Sequence, residues 1–116
     1  MNWNARCWAK AMAKIFDDAL VDCNRAVELS PNEATGFDSR ALVKWQLGQV
    51  PSAQADAEHA VRLDQKDGVY RFRLASILKS QGKTGEADAQ FDQARRLAGP
   101  GEWERWQQEH SFLDRK

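Results

Sequence analysis

Residues 34–67 read ATGFDSRALVKWQLGQVPSAQADAEHAVRLDQKD. This stretch decides the architecture because it holds two helices and one turn, each marked by its own punctuation. The first helix runs from about Ala34 to Leu47 and stops at Gly48, since glycine readily takes the left-handed conformation that ends a helix. Pro51 follows in the first turn of the next helix, where its missing N–H would have had no partner anyway. That second helix continues to about Leu63. Two helices joined by so short a turn must lie antiparallel as a hairpin.

Shifting the sequence against itself by 34 residues repeats this hairpin on both sides. Ala19, Ala53 and Ala87 fall in one column, Ala26, Ala60 and Ala94 in a second, and Cys7, Ala41 and Ala75 in a third. Gly48 aligns with Gly82, and Leu29 with Leu63 and Leu97. A fixed period of this size marks a solenoid, in which each unit stacks on its neighbours. The third unit has helices over about Val69–Gln81 and from Thr84 or Gly85 to Leu97. The first spans about Asn2–Leu29 and ends before Ser30-Pro31, but Lys14 stands where the other turns have glycine. The small columns have a steric purpose. Helices of a hairpin approach closely only where neither side chain is bulky, so a large residue at Ala53 or Ala60 would cost roughly 1–3 kcal/mol. Strand signals are almost absent, so the fold class is all-α, with about seven helices stacked as antiparallel hairpins: 1–33, 34–67 and 68–99, then a capping segment over 100–116, one domain in all.

The period, the small columns, Pro31 closing the first unit and the aromatics Trp3, Phe37 and Phe91 together resemble the tetratricopeptide repeat over about residues 1–99. That resemblance implies a right-handed superhelix whose first helices line a concave groove for peptides or helices. It also implies an interaction module, an adaptor, scaffold or co-chaperone-like protein, rather than an enzyme. The alternative is a structural segment used for self-association or as part of a longer solenoid. The chain departs from the family where Lys10, Lys44 and Leu78 replace a large aromatic, and where Gln65 and Gly99 replace the closing proline.

By the same resemblance the groove would be lined by Asn4, Trp8, Ala11 and Met12, then Thr35, Asp38, Leu42 and Trp45, then Val69, Phe72, Ser76 and Lys79. Trp8, Leu42, Trp45, Val69 and Phe72 make this face apolar, which suits an amphipathic helix or an apolar peptide. A branch of the family holds C-terminal carboxylates with Lys, Arg and Asn. Here Asn4 is compatible, but Trp8, Asp38 and Val69 occupy positions that want polar or basic groups, with only Arg73 as a nearby cation. The expected ligand is therefore apolar.

Charge and cysteine patterns add detail. Arg6 and Arg40 are replaced in the third unit by Leu74, and Asp22 and Asp56 by Gln90, so an Arg–Asp pair linking the two helices of a hairpin is expected. Cys7 and Cys23 lie almost symmetrically about the first turn. They can form a bridge, worth on the order of 3 kcal/mol if unstrained, or stay reduced as small packing residues, and the reduced pair is the favoured reading. A cytoplasmic location is favoured with it, and a secreted or periplasmic one if the pair is bridged.

The final helix, about Glu102–Asp114, places Trp103, Trp106 and Leu113 with His110 on one stripe, and carries Phe112 beside it. It reads as a cap over the last hairpin, with Trp103 and Trp106 as an alternative second contact for a partner or another copy. The first helix starts almost at Met1, so its outer face is exposed or the chain was cut from a longer protein. The 17 basic and 17 acidic residues balance, which argues against nucleic acid as a partner. No apolar run approaches the roughly 20 residues of a spanning helix. No zinc-ligand spacing, phosphate loop or nucleophile elbow is present, so no metal, cofactor or catalytic residue is expected. The partner expected is another protein or peptide, with homo-oligomers as an option.

Overall fold

The computed structural model describes residues 2–114, with side chains from Asn2 to Ser111; the Phe112 and Leu113 side chains of the expected stripe lie outside the described residues. Among these residues there are seven helices and no strand: α1 (Trp3–Met12), α2 (Phe16–Leu29), α3 (Ala34–Gln46), α4 (Val50–Leu63), α5 (Gly68–Ser80), α6 (Thr84–Leu97) and α7 (Glu102–Asp114). Helix starts are set by local chemistry. The Asn2 side chain accepts from the Ala5 N–H at 3.0 Å and Asp67 from the Val69 N–H at 3.1 Å, satisfying donors that have no partner inside the helix. Pro51 sits in the first turn of α4.

The three hairpin turns close in the same way, 34 residues apart. Ile15 N–H donates to the Lys10 carbonyl, Gln49 N–H to Lys44 and Lys83 N–H to Leu78, at 2.9, 2.8 and 3.1 Å. Each is the long-range bond of a Schellman closure, which needs a left-handed residue just past the helix. Gly48 and Gly82 supply it with φ of 83° and 78°, and Lys14 takes the same conformation with φ 62°. The missing glycine of the first turn thus leaves its geometry unchanged and puts a strained lysine in its place.

The chain divides into two compact units, Met1–Asp64 and Gln65–Lys116. The first holds α1–α4. Cys7, Ala11, Ala19, Cys23, Ala41, Ala53, Ala57 and Ala60 are fully buried there, and Ala26 nearly so. A Cβ on Gly36 would come 3.3 Å from Val27 Cγ1, so α2 and α3 meet almost backbone to backbone at that point. The second unit holds α5–α7 and packs around Phe72, Ala94 and Trp106, flanked by Val69, Phe91, Ala98 and Trp103. Gly68 at the start of α5 is required by proximity: a Cβ there would stand 2.7 Å from the Ala94 carbonyl oxygen and 3.1 Å from Trp106 Cη2.

Cys7 and Cys23 are joined by a disulfide between α1 and α2, with Cα atoms 5.2 Å apart. The favoured reading of two reduced thiols is therefore replaced by the bridge. The physical reason is the hairpin itself: Ala41 and Ala57 stand in the same two columns of the next hairpin, so these columns face each other at close range.

Replacing Lys14 with glycine is expected to raise the unfolding free energy by about 0.5–1 kcal/mol, because relief of the left-handed strain outweighs the added freedom of the unfolded chain. Urea denaturation followed by circular dichroism measures this, and an unchanged or lower midpoint would contradict the strain. Reducing the disulfide, or replacing both cysteines with alanine, is expected to cost about 3 kcal/mol of stability, set by the short loop that the bridge closes. Protein unfolded in guanidinium and treated with an alkylating agent but no reductant should gain no adduct by intact mass, because bridged sulfurs carry no thiol to react. Two adducts under those conditions would mean the thiols are free.

Candidate functional site

The positions expected to line a groove divide by exposure. In the first unit, Trp8, Met12 and Trp45 are half-buried and Thr35 is exposed. Ala11 and Leu42 are fully buried, and Asp38 is buried at 6% exposure. In the second unit Val69 is half-buried and Lys79 exposed, whereas Phe72 and Ser76 are buried at 4% and 3%. Leu42 and Phe72 therefore belong to the core and not to an open apolar surface. Ser76 spends its hydroxyl on the Phe72 carbonyl at 2.9 Å. Arg73, read as the nearby cation of the groove, is itself buried at 3%. Asn4 lines a cavity of about 360 Å³ with Trp3, Leu29 and Gly36, and its Oδ1 has no hydrogen-bond partner among the described residues.

Trp106 also leaves the list of surface contacts. At 3% exposure it packs on Phe72 and Ala94, so it caps the second unit and cannot reach a partner. Trp103 is half-buried beside it. Its ring meets Phe72 edge to face at 5.4 Å, and the Arg95 guanidinium lies 5.5 Å over its centre.

The charged columns form a denser cluster than the Arg–Asp pair expected from sequence. In the second hairpin Arg40 Nε and Nη2 each donate to one oxygen of Asp56 at 2.8 Å, and Lys44 Nζ stands 2.9 Å from Asp56 Oδ2. Lys44 also donates to Ser52 Oγ at 2.8 Å. In the first hairpin Lys10 Nζ approaches Asp22 Oδ2 to 2.9 Å and Arg6 Nε to 3.5 Å. Both contacts lie off the line that a hydrogen bond needs, and Arg6 is 44% exposed, so this pair is held by charge in a wetter setting. The third hairpin replaces the whole set with Leu74, Leu78 and Gln90. Gln90 Oε1 there accepts from Arg71 Nη1 at 3.2 Å, and Arg71 occupies the column of Trp3 and Phe37.

Sequence reasoning missed the lysines, which registered only as departures from an aromatic. The signal was present: Lys10, Lys44 and Leu78 change in step with the arginine and aspartate columns. These clusters tie the two helices of a hairpin together. Nothing in them is arranged for catalysis, and no group of three metal-ligating side chains occurs among the described residues. No described helix is long and apolar enough to cross a membrane.

No protein-family model matches the chain. Among curated proteins it is 40% identical over 79 residues to small glutamine-rich tetratricopeptide repeat-containing protein 2 of Mycosarcoma maydis, covering 67% of this chain and 22% of that protein. It is 30% identical over 83 residues to tetratricopeptide repeat protein 36 of Danio rerio, covering 68% and 44%. These are tetratricopeptide repeats. The chain thus spans less than half the length of the repeat proteins it matches. Its fold agrees with solved tetratricopeptide structures at low identity. The secretion chaperone SycD of Yersinia enterocolitica, in complex with a peptide of the translocator YopD, superposes with TM-score 0.81 at 18% identity over 97% of this chain and 87% of that one. The TPR2B domain of yeast Sti1, from its complex with pHsp70, superposes with TM-score 0.82 at 19% identity over 96% and 92%.

Within this tetratricopeptide stack the charged clusters are structural. Asp56→Gln alone is expected to cost about 3 kcal/mol, since it leaves Arg40 and Lys44 facing each other without their carboxylate. Arg40→Leu, Lys44→Leu and Asp56→Gln together copy the third hairpin and should recover most of that loss, as apolar replacements of buried ion clusters often do. Thermal unfolding of the single and triple variants checks this, and a triple variant less stable than the single would refute it.

Proposed function

We propose that the chain is a protein-interaction module that holds an apolar or amphipathic segment of a partner protein on α1 and α3, the first helices of its first two hairpins. The supporting observation is the state of Trp8, Met12 and Trp45. They are large apolar side chains at groove positions of α1 and α3, yet they stay half-buried in a unit whose interior is already filled by alanines, Leu42 and Val43. Aromatic side chains with an exposed face carry most of the energy in protein interfaces. Solved relatives in fold include complexes with a YopD peptide and with pHsp70, which agrees with a peptide-holding role and with a module that works without catalysis. Thr35, exposed at the start of α3, would contribute a polar rim, while Leu42, Phe72, Asp38 and Ser76 hold the helices in place from within.

Selection of displayed peptides on the immobilised protein is expected to enrich apolar or amphipathic sequences. Trp8→Ala with Trp45→Ala should reduce retention of the selected peptides at least tenfold while leaving the helical circular dichroism unchanged. Phe72→Ala serves as the contrast, because a buried ring costs about 3–5 kcal/mol and that variant should lose stability first. Undiminished retention by the double tryptophan variant would refute the assignment.

A further inference from the structure

The second unit contains a pocket of about 400 Å³ that the role of α7 as a cap does not explain. Phe72, Phe91, Trp103 and His110 form its aromatic walls, with Lys79 and Gln107 among the other lining residues. The Phe72 ring is the hub. Phe91 and Trp103 meet it at 5.4 Å and His110 at 6.1 Å, all edge to face. These rings come from α5, α6 and α7, so the pocket exists only because α7 folds onto the last hairpin. A well-packed cap would fill such a space, since protein interiors close down to near-crystalline density. A volume of this size is at the lower end of what small-ligand sites offer.

The polar groups around it select the sign of a guest. No aspartate or glutamate lines the pocket among the described residues. Lys79 is exposed, and no carboxylate lies within ion-pair distance of it among the described residues. Aromatic walls alone would also welcome a quaternary ammonium, which binds the negative faces of rings. A lysine among the lining residues, without an acid to offset it, opposes that occupant by like-charge repulsion. A neutral apolar guest would use the rings and ignore the lysine. An apolar body ending in a carboxylate uses both.

We propose that this pocket binds an apolar carboxylate, with the hydrocarbon or aromatic body against Phe72, Phe91 and Trp103 and the carboxylate at Lys79. The site lies wholly within Gln65–Lys116 and is separate from Trp8 and Trp45, so it stands or falls independently of the peptide-holding reading. The chemistry has two sources, a free carboxylic acid or the C-terminal residue of a peptide with an apolar side chain.

The test is titration of the whole chain with 4-phenylbutyrate, decanoate, 4-phenylbutylamine and 4-phenylbutanol, following the indole N–H signals of the tryptophans by NMR. Trp103→Phe assigns its own signal. The acids should shift the Trp103 signal saturably, the alcohol should bind more weakly, and the amine weakest of all. Lys79→Gln should weaken the acids about two- to fivefold, the range of an exposed ion pair, and leave the alcohol unchanged. A peptide ending in free phenylalanine is compared with its C-terminal amide: preference for the free acid identifies a peptide end as a guest, and binding of the small acids without it identifies a free acid. Equal or tighter binding of the amine, no shift of Trp103 with any acid, or acid binding indifferent to Lys79→Gln would overturn the proposal.

Discussion

Everything in this chain depends on how closely paired helices can approach, and that distance is set by alanine. In each hairpin, columns of small residues face each other where the helices meet. They are buried in all three hairpins: Ala19, Ala26, Ala53, Ala60, Ala87 and Ala94, with Cys7, Ala41 and Ala75 opposite. Close approach leaves little room for large side chains between the helices, so the aromatics are pushed outward. They end at the edges of hairpins, as Trp3 and Phe37 do beneath arginines, at half-buried positions such as Trp8 and Trp45, or in the cluster under α7. The disulfide is one expression of the same constraint, since two columns near enough for alanine on alanine are near enough for sulfur on sulfur.

A thin interior also explains the ion clusters. Hairpins built on alanine bury little apolar surface per residue, and burial is the main favourable term in folding. The first two hairpins add a carboxylate from the second helix held by two cations from the first. Asp56 is the more developed case, with a bidentate arginine and a lysine around an oxygen pair that is almost out of solvent. The third hairpin takes the other solution, Leu74 and Leu78, and its first helix is correspondingly buried over most of its length. One repeat pattern thus tolerates a polar or an apolar tie between its helices, provided that all members change together.

The second unit carries the features that repetition does not supply. α7 brings Trp103, Trp106 and His110 onto Phe72, and the last hairpin gains an aromatic cluster from outside the repeat. Gly68 makes this docking feasible, because any side chain there would strike the Ala94 carbonyl and Trp106. The cap seals part of the hairpin and leaves the aromatic pocket between the same rings.

The sequence by itself determined the hairpins, their turns and their pairing. Helix stops at Gly48 and Gly82, Pro51 in a first turn, and alanines at a constant spacing are local signals, and each acts through its own neighbours along the chain. The arginine and aspartate columns were legible for the same reason, through their joint replacement in the third unit. Which apolar residues remain available to a partner was decided only by the tertiary structure. Leu42, Trp45, Phe72 and Trp106 look alike in a list of apolar side chains. Whether one is core or surface depends on what packs over it: Phe72 is enclosed because α7 returns to it, and Trp45 keeps an exposed edge. Lysines 10 and 44 were hidden similarly, since a lysine at an aromatic position reveals its purpose only when the opposing helix brings a carboxylate to its ammonium group.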